Sequence, residues 1–177
     1  MRGNLVRRFL VPRFAVTLYY YLKFGAQISP RAEVELSANL KFGHGCRISS
    51  FTKIKAADGP LNIGSRCGFG TGCFISSGEQ GLEIGDNLVC GPNVVIMASS
   101  YRYDKLGKHL HDQGVTSRGT RIGNNVWIGA GAVILDGSDI GDNSIIVANS
   151  LVSRRHPPNS VLQGIPARPM RTFHRQE

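Results

Sequence analysis

The side chains best suited to proton transfer are two histidines, His109 and His111, in a stretch that lacks the repeat found elsewhere in the chain. A neutral imidazole accepts a proton near pH 7, so either histidine could act as a general base. Leu110 separates them, and in an extended segment only one of the two would face a given surface. The pair is too isolated to form a zinc site. We therefore expect a site that binds no metal.

The four cysteines do not indicate a metal site either. None belongs to a C-x-x-C pair, and no histidine lies at metal-finger spacing from them. All fall at positions of the repeat described below that face inward, where a small apolar side chain is suitable. We therefore predict buried, reduced thiols of an intracellular, cytoplasmic protein. They are Cys46, Cys67, Cys73 and Cys90.

A six-residue repeat organises most of the chain. Six residues match neither the period of a helix nor strict alternation, but they match one short strand followed by one corner. Three units form one coil, and stacked coils pair their strands in parallel. Seventeen units predict an all-β parallel β-helix of five to six coils. Their first positions are Ile28, Val34, Leu40, Cys46, Thr52, Ile63, Phe69, Ile75, Ile84, Cys90, Ile96, Ile122, Ile128, Ile134, Ile140, Ile146 and Val152.

Three breaks interrupt the repeat. Residues 58–62 and 81–83 are short insertions at corners, and residues 102–121 form a long loop. An irregular loop of that length in a compact domain is usually functional. We expect three parts: an N-terminal helical segment over 1–26, the β-helix with its loop over 27–156, and a C-terminal tail over 157–177.

The N-terminal segment carries an apolar run over residues 14–22, which is too short to span a bilayer. No small-residue cleavage site follows it. We predict a short basic amphipathic helix that packs on the β-helix. Peripheral contact with an anionic membrane is a second interpretation.

The net charge of +9 indicates an anionic partner, which could be nucleic acid, an anionic small molecule or a membrane surface. No recognition helix, aromatic RNA-binding motif or zinc-finger spacing is present, so nucleic acid is disfavoured. The repeat places His44 at an inward position near a corner. His156 and His174 stand among arginines and are expected at the surface.

The half of the chain from Gly91 to Met170 resembles the hexapeptide-repeat acetyltransferases that modify O-antigen, capsule and exopolysaccharide sugars. These are related to maltose and serine acetyltransferases. Four motifs carry the resemblance: IGNNVWIGAGAVI at 122–134, PPNS at 157–160, GIPAR at 164–168 and DQG at 112–114.

The resemblance implies a left-handed coil, against the usual right-handed rule for parallel connections. It also implies a homotrimer with its active site in a groove between neighbouring chains, covered by the long loop. The implied reaction moves an acetyl group from acetyl-CoA to a sugar hydroxyl in surface polysaccharide or lipopolysaccharide biosynthesis. The acceptor would be a sugar, a nucleotide-sugar or a lipid-linked sugar.

The resemblance further implies how acetyl-CoA is held. Its pantetheine arm would run along the coil edges, where small residues allow close approach to backbone groups. Its phosphates would lie toward the last coils, within reach of arginines. The implied cofactor residues are Gly129, Ala130, Ala148, Arg154, Arg155 and Arg168.

Trp127, the only tryptophan, is implied to line the acceptor side of the groove. The alternative for this side chain is simple packing between coils.

The similarity fails at one position. The family opens its long loop with a catalytic histidine in a segment reading roughly Asn-His-x-aromatic-Asp, whereas this chain has Tyr101 at the place of that histidine. Asp104 matches and would orient the base or the acceptor. A tyrosine has a reference pKa of about 10 and is a poor base at pH 7.

Three hypotheses therefore remain open for the base. His109 or His111 replaces the missing histidine, or Tyr101 acts with its pKa lowered by Arg102. In the third, the chain has lost catalysis and is a trimeric scaffold. N-acetylation of an amino sugar is an alternative reaction, since an amine with its own free base form needs less help from a base.

Overall fold

A computed structural model describes residues 11–172 of the chain, with side chains described up to residue 170. His174, which was expected at the surface, lies outside these residues.

One α-helix, one 3₁₀ helix and twenty-two short strands make up the regular structure of the described residues. In chain order they are α1 (Arg13–Phe24), β1 (Gln27–Ile28), β2 (Glu33–Val34), β3 (Leu40–Phe42), β4 (Arg47–Ile48), β5 (Lys53–Lys55), β6 (Leu61–Ile63), β7 (Gly68–Phe69), β8 (Phe74–Ser76), β9 (Leu82–Ile84), β10 (Val89–Cys90), β11 (Val95–Met97), β12 (Ser100–Tyr101), β13 (Val115–Thr116), β14 (Thr120–Ile122), β15 (Trp127–Ile128), β16 (Val133–Ile134), β17 (Asp139–Ile140), β18 (Ile145–Ile146), β19 (Leu151–Val152), β20 (Arg155–His156), β21 (Ser160–Gly164) and β22 (Ala167–Thr172). A 3₁₀ helix spans Leu110–Gln113.

The strands form a three-sided tube. Face 1 contains, in order, β1, β4, β7, β10, β15, β18, β21 and β22; face 2 contains β2, β5, β8, β11, β16 and β19; face 3 contains β3, β6, β9, β14, β17 and β20. Every neighbouring pair is parallel except the final hairpin of β21 and β22. The predicted parallel β-helix of about six coils, of the left-handed kind, is confirmed.

The core consists of three ladders of aliphatic side chains. Because each strand pairs in parallel with the strand one coil away, residues of the same kind stack on each other: Ile128 on Ile146, and Ile134 on Val152. Most ladder residues are fully buried. Each such side chain contributes about 1.5–3 kcal/mol through burial of apolar surface, and no single coil could bury its own set.

The predicted register is wrong between residues 40 and 52. Strand β3 buries both Leu40 and Phe42, and Phe42 is the residue that aligns with Ile63 in the next coil. The ladder therefore continues through Ile48 and Ile54, two residues later than the sequence pattern suggested.

Cys46 and Thr52 consequently occupy the small position beside the corner instead of opening a repeat. The Thr52 hydroxyl donates to the Gly70 carbonyl at 2.7 Å, and the Cys46 thiol donates to the Gly64 carbonyl at 3.0 Å. The same shift turns His44 outward, so its predicted inward position is wrong and its side chain is exposed.

The four cysteines are buried and free, as predicted. Burial raises the pKa of the Cys73 and Cys90 thiols. Both thiols therefore stay protonated at neutral pH and are unsuited to act as nucleophiles.

The corners require left-handed backbone, and asparagine supplies much of it. Asn87, Asn125, Asn143 and Asn159 stack along the edge between faces 3 and 1, each with φ between 53° and 61°. Asn125 Nδ2 donates to Asn143 Oδ1 at 2.9 Å, and Asn143 Nδ2 donates to Asn159 Oδ1 at 3.2 Å. Asparagine tolerates this conformation better than other side chains because its amide bonds locally.

Helix α1 closes the N-terminal end of the tube. Tyr20 is fully buried, stacks on Phe24 and meets Phe42 edge-on, and its hydroxyl donates to the Glu35 carbonyl at 2.8 Å. Burial raises the pKa of Tyr20 to about 12. The predicted N-terminal helix that packs on the β-helix is thus present over Arg13–Phe24.

The C-terminal end is a hairpin where the sequence analysis expected only a tail. Strand β21 continues face 1 beyond β18, and β22 folds back antiparallel to it. His156 ends the ladder of face 3, stacked on Ile140 and only 4% exposed, so its predicted surface position is wrong. Among the described residues, no group bonds to its Nε2 atom.

We predict that His156 makes folding sensitive to acid. Burial, with Arg154 and Arg168 nearby, lowers the pKa of His156 below its ordinary value of 6.5. In acid the unfolded chain therefore binds the proton first, and the free energy of unfolding falls as the pH drops below about 6.5. His156→Leu should reduce this fall and stabilise the protein at low pH.

The measurement is denaturant unfolding at about pH 7.5 and about pH 5.5. His156→Gln, which cannot titrate but stays polar, is the matched control and should flatten the pH dependence without the gain in packing. An unchanged pH dependence in both variants would contradict the prediction.

Candidate active site

The long loop leaves the tube at the edge between faces 2 and 3, between β11 and β14. The short strands β12 and β13 pair antiparallel at its base, Ser100 with Thr116 and Tyr101 with Val115. We call residues 98–119 the arm. The inserted loop predicted at about 102–121 is confirmed, and its start lies a few residues earlier.

The arm carries all four predicted catalytic residues. Tyr101 is 62% exposed, and Asp104, His109 and His111 are exposed as well. No hydrogen bond among the described residues joins Asp104 to any of the other three. A single chain therefore presents these side chains without assembling them around a common point.

Gln113 fixes the tip of the arm. Its Oε1 atom accepts from the Lys105 backbone N–H at 3.0 Å, and its Nε2 atom donates to the carbonyls of Lys105 and Lys108 at 3.1 and 2.9 Å. These bonds close the segment that contains His109 and therefore limit where that histidine can reach.

Asp136 fixes the base of the arm. Its carboxylate is only 1% exposed and accepts from the Arg118 backbone N–H at 2.8 Å and from Arg118 Nε at 3.4 Å. On the other side, the Ser117 hydroxyl donates to the Ala98 carbonyl at 2.9 Å, which ties the returning strand to the departing one. A buried carboxylate with a charged partner is costly to disrupt.

The predicted pantetheine residues lie on a different edge, between faces 1 and 2. Gly129 packs so closely on the next coil that an added Cβ would meet the Ala148 backbone nitrogen at 2.5 Å. Coil stacking therefore requires glycine here, whatever its role in binding.

Ala130 and Ala148 stack one coil apart on that edge. Ala148 is exposed and Ala130 half-buried. Within the described part of the chain, their backbone N–H groups donate to no protein acceptor, whereas Gly129, Gly131 and Asn149 beside them do donate. Two unpaired N–H groups along one edge can donate hydrogen bonds to the carbonyl oxygens of an extended ligand.

Trp127 points outward from face 1 and is 54% exposed, which excludes packing between coils inside the tube. It stands between Val89 and Ile145 of the neighbouring strands. The surface depression beside Trp127 has a volume of about 360 Å³ and is also lined by Asn87, Asn125 and Asn143.

The predicted phosphate-binding arginines lie at the C-terminal end. Arg154 and Arg168 are exposed, and both are near enough to His156 to lower its pKa. Arg155 faces outward on face 3, where its Nε atom forms an ion pair with Asp139 Oδ2 at 3.3 Å. Arg154 and Arg168 are thus together at one end, whereas Arg155 is engaged in an ion pair.

Sequence reasoning missed the residues that hold the arm, namely Asp136, Arg118 and Gln113. The first two stand 18 residues apart, which is one coil. That spacing is readable in the sequence once the end of the long loop is known. The bonds of Gln113 are internal to the loop and have no repeat to reveal them. Within residues 11–172, no group of three potential metal ligands comes together.

Comparison with known proteins agrees with this architecture. Residues 119–154 match the family described as bacterial transferase hexapeptide (six repeats), and residues 60–98 match the hexapeptide repeat of succinyl-transferase. Galactoside O-acetyltransferase of Escherichia coli is 40% identical over 94 residues, which are 52% of this chain and 45% of that protein. The chain spans about half the length of the curated relatives it matches.

Solved structures share the fold. AntD, an N-acyltransferase from Bacillus cereus in complex with dTDP and 3-hydroxybutyryl-CoA, superposes with a TM-score of 0.77 at 20% identity, over 90% of this chain and 88% of that one. A maltose O-acetyltransferase from Clostridium difficile superposes with a TM-score of 0.59 at 25% identity, over 85% and 67%. Two stretches of the chain are thus similar to hexapeptide-repeat transferases, and its fold is that of the acyltransferases named above.

We predict that Asp136 keeps the arm in place. Asp136→Ala removes the acceptor of the Arg118 backbone N–H and should lower the free energy of unfolding by about 2 kcal/mol. It should also speed amide hydrogen exchange across residues 98–119.

Asp139→Ala is the control, because Asp139 is a more exposed acid on the same coil whose ion pairs with Arg121 and Arg155 are worth less than about 1 kcal/mol. Exchange that rises equally in both variants, or in neither, would show that Asp136 does not hold the arm.

Proposed function

We propose that this chain is an acetyl-CoA-dependent acetyltransferase that acts as a homotrimer on a sugar hydroxyl in surface polysaccharide or lipopolysaccharide synthesis. The observation that carries the proposal is the pair of unpaired backbone donors at Ala130 and Ala148. The pantetheine chain of CoA contains amide carbonyls, which accept hydrogen bonds from such donors. The similarity to hexapeptide-repeat transferases and the CoA complexes of similar structures support this choice of ligand.

Arg154 and Arg168 are proposed to contact the CoA phosphates. Both are exposed at the C-terminal end of the tube, where Arg154 lies on the same coil as Ala148 and Arg168 lies beyond it in β22. Guanidinium groups bind phosphate through paired, charge-assisted hydrogen bonds. We do not extend this role to Arg155, because Asp139 already binds its side chain.

The trimer is proposed because one chain keeps the two halves of the site apart. The arm leaves from the edge between faces 2 and 3, whereas Ala130 and Ala148 lie on the edge between faces 1 and 2. A neighbouring copy could bring its arm to this second edge. Faces 1 and 2 also bear apolar residues on their outer sides, which suits contact between copies. These are Val89, Trp127 and Ile145 on face 1, and Phe74, Val95, Val133 and Leu151 on face 2.

His109 or His111 is the proposed general base. The base would take the hydroxyl proton as the sugar oxygen attacks the thioester carbonyl, and CoA would leave as the thiol. Asp104 would orient this base or the acceptor, and Trp127 would contact the sugar ring. Tyr101 at the family's histidine position favours one second candidate, N-acetylation of an amino sugar, which places less demand on a base.

The test of function is release of free CoA thiol from acetyl-CoA in the presence of sugars, amino sugars, nucleotide-sugars and lipid-linked sugars. We expect turnover with a hydroxyl acceptor. Turnover only with amino sugars would select the second candidate, and tight CoA binding without any turnover would select the scaffold.

We predict that Ala148→Pro weakens CoA binding about tenfold, because proline lacks the donor N–H. The corner should accommodate proline, since Pro92 follows Gly91 one coil before Ala130 follows Gly129. Calorimetry with CoA measures the change. Ala148→Ser keeps the N–H and should bind as the parent does; equal binding by all three proteins would remove this contact from the proposal.

We predict that His109→Ala or His111→Ala lowers turnover by about a hundredfold, according to which residue is the base, while the dissociation constant of CoA stays within about twofold. His44→Ala, on an exposed histidine outside the arm, is the control. If Tyr101→Phe alone produces the loss and both histidine variants keep full turnover, the tyrosine is the base.

A further inference from the structure

The outer side of helix α1 is apolar although nothing in the described chain covers it. Phe14 is 71% exposed, Leu18 54%, Tyr21 55% and Leu22 74%. Their spacing places them along one side of the helix. We call these four residues the outer stripe. An exposed helix of a soluble domain normally presents polar side chains on that side.

The outer stripe is not needed to hold the helix on the tube. The opposite side of α1 does that through Val16, Tyr20 and Phe24, with Tyr20 fully buried. The helix contacts strands β1, β2 and β3 of the first coil. No residue in the described range 11–172 therefore covers the stripe, and the docked helix presents it in a fixed orientation.

Basic residues stand at both ends of the helix that carries the outer stripe. Arg13 and Lys23 stand at the two ends of the helix, and Lys23 Nζ bonds to the Tyr19 hydroxyl at 2.9 Å while lying 5.3 Å from the centre of its ring. This is how a lysine beside an apolar surface keeps its charge in water.

The excess charge is concentrated at this end of the molecule. Residues 11–56, which form α1 and the first coils, contain seven basic and two acidic residues. Residues 57–172 contain ten basic and nine acidic residues. Moreover, both acids of the first segment are engaged: Glu33 pairs with Lys53, and Glu35 accepts from the Ala56 N–H.

We propose that the outer stripe of α1 inserts into the headgroup layer of an anionic lipid membrane, with the helix lying along the surface. Apolar and aromatic side chains flanked by basic residues are the features of interfacial helices, and anionic lipid adds attraction for each nearby Lys or Arg. A helix of 12 residues is about 18 Å long and cannot cross the apolar layer of about 30 Å. Within residues 11–172, no helix meets the length and hydropathy needed for a membrane span.

Charge favours lipid over a two-fold contact between the stripes of two copies. In a two-fold contact the same surface meets itself. Stripe against stripe would bring Arg13, Lys23 and the other cations of this end close to their counterparts, and like charges at an interface are unfavourable. An anionic bilayer surface satisfies both the apolar stripe and the cations of this end.

The experiment is co-sedimentation of the full chain with vesicles of phosphatidylcholine alone and of phosphatidylcholine mixed with phosphatidylglycerol. The parent should bind the anionic vesicles, and high salt should weaken that binding. Leu18→Glu combined with Leu22→Glu should weaken it about tenfold or more. The matched control is Leu106→Glu combined with Leu110→Glu, which adds the same charge at exposed positions of the arm and should bind nearly as the parent does.

Circular dichroism would establish that the variants stay folded, and light scattering would report their assembly. Failure of the parent to bind anionic vesicles would overturn the proposal, as would equal loss of binding in both double variants. If the stripe variant loses its assembly while the parent never binds vesicles, the stripe is a contact between copies and the lipid proposal is wrong. Because vesicle binding is measured without acetyl-CoA, its failure is distinguishable from failure of the proposed activity.

Discussion

Coil-on-coil stacking is the constraint on which the rest of this structure depends. Each short strand has its backbone partners in the coils above and below, so a coil removed from the stack loses both its hydrogen bonds and its cover. The closest contacts leave no space for a side chain, as where Gly129 meets the Ala148 backbone. Residues that face inward are therefore restricted to a few small or aliphatic types, and variation is left to the edges, the outer faces and the ends.

The three edges meet this constraint in different ways, and the difference places the candidate chemistry. The edge between faces 3 and 1 is closed by bonded asparagines such as Asn125 and Asn143. The edge between faces 1 and 2 leaves the N–H groups of Ala130 and Ala148 unpaired. The edge between faces 2 and 3 admits the arm, which Asp136 anchors from the next coil. The unpaired donors and the arm thus lie on separate edges of one chain, and for this reason we propose that two copies build the site.

The six-residue period predicted the fold because coil stacking imposes this period on every coil. It gave the wrong register where two neighbouring residues could each continue the ladder. Leu40 and Phe42 are both aliphatic or aromatic and both buried, so the pattern alone could not tell which one continues the ladder. The sequence could place Gly129, Ala130 and Ala148 on one edge, because the repeat fixes the position of each corner as it fixes the ladders. The sequence could not place His156, because this residue ends the ladder of face 3 and no further repeat follows to show that its side chain faces inward.

Coil stacking stops at the two ends of the tube and at the arm. The residues there are held by other contacts. Helix α1 covers the first coil with Tyr20, while the hairpin of β21 and β22 completes the last one. The arm has only its own bonds through Gln113 and its anchor at Asp136. The six-residue repeat therefore predicts the structure only as far as the base of the arm. In the proposed trimer, the surface that the arm meets on a neighbouring copy would determine which of His109, His111 and Tyr101 accepts a proton.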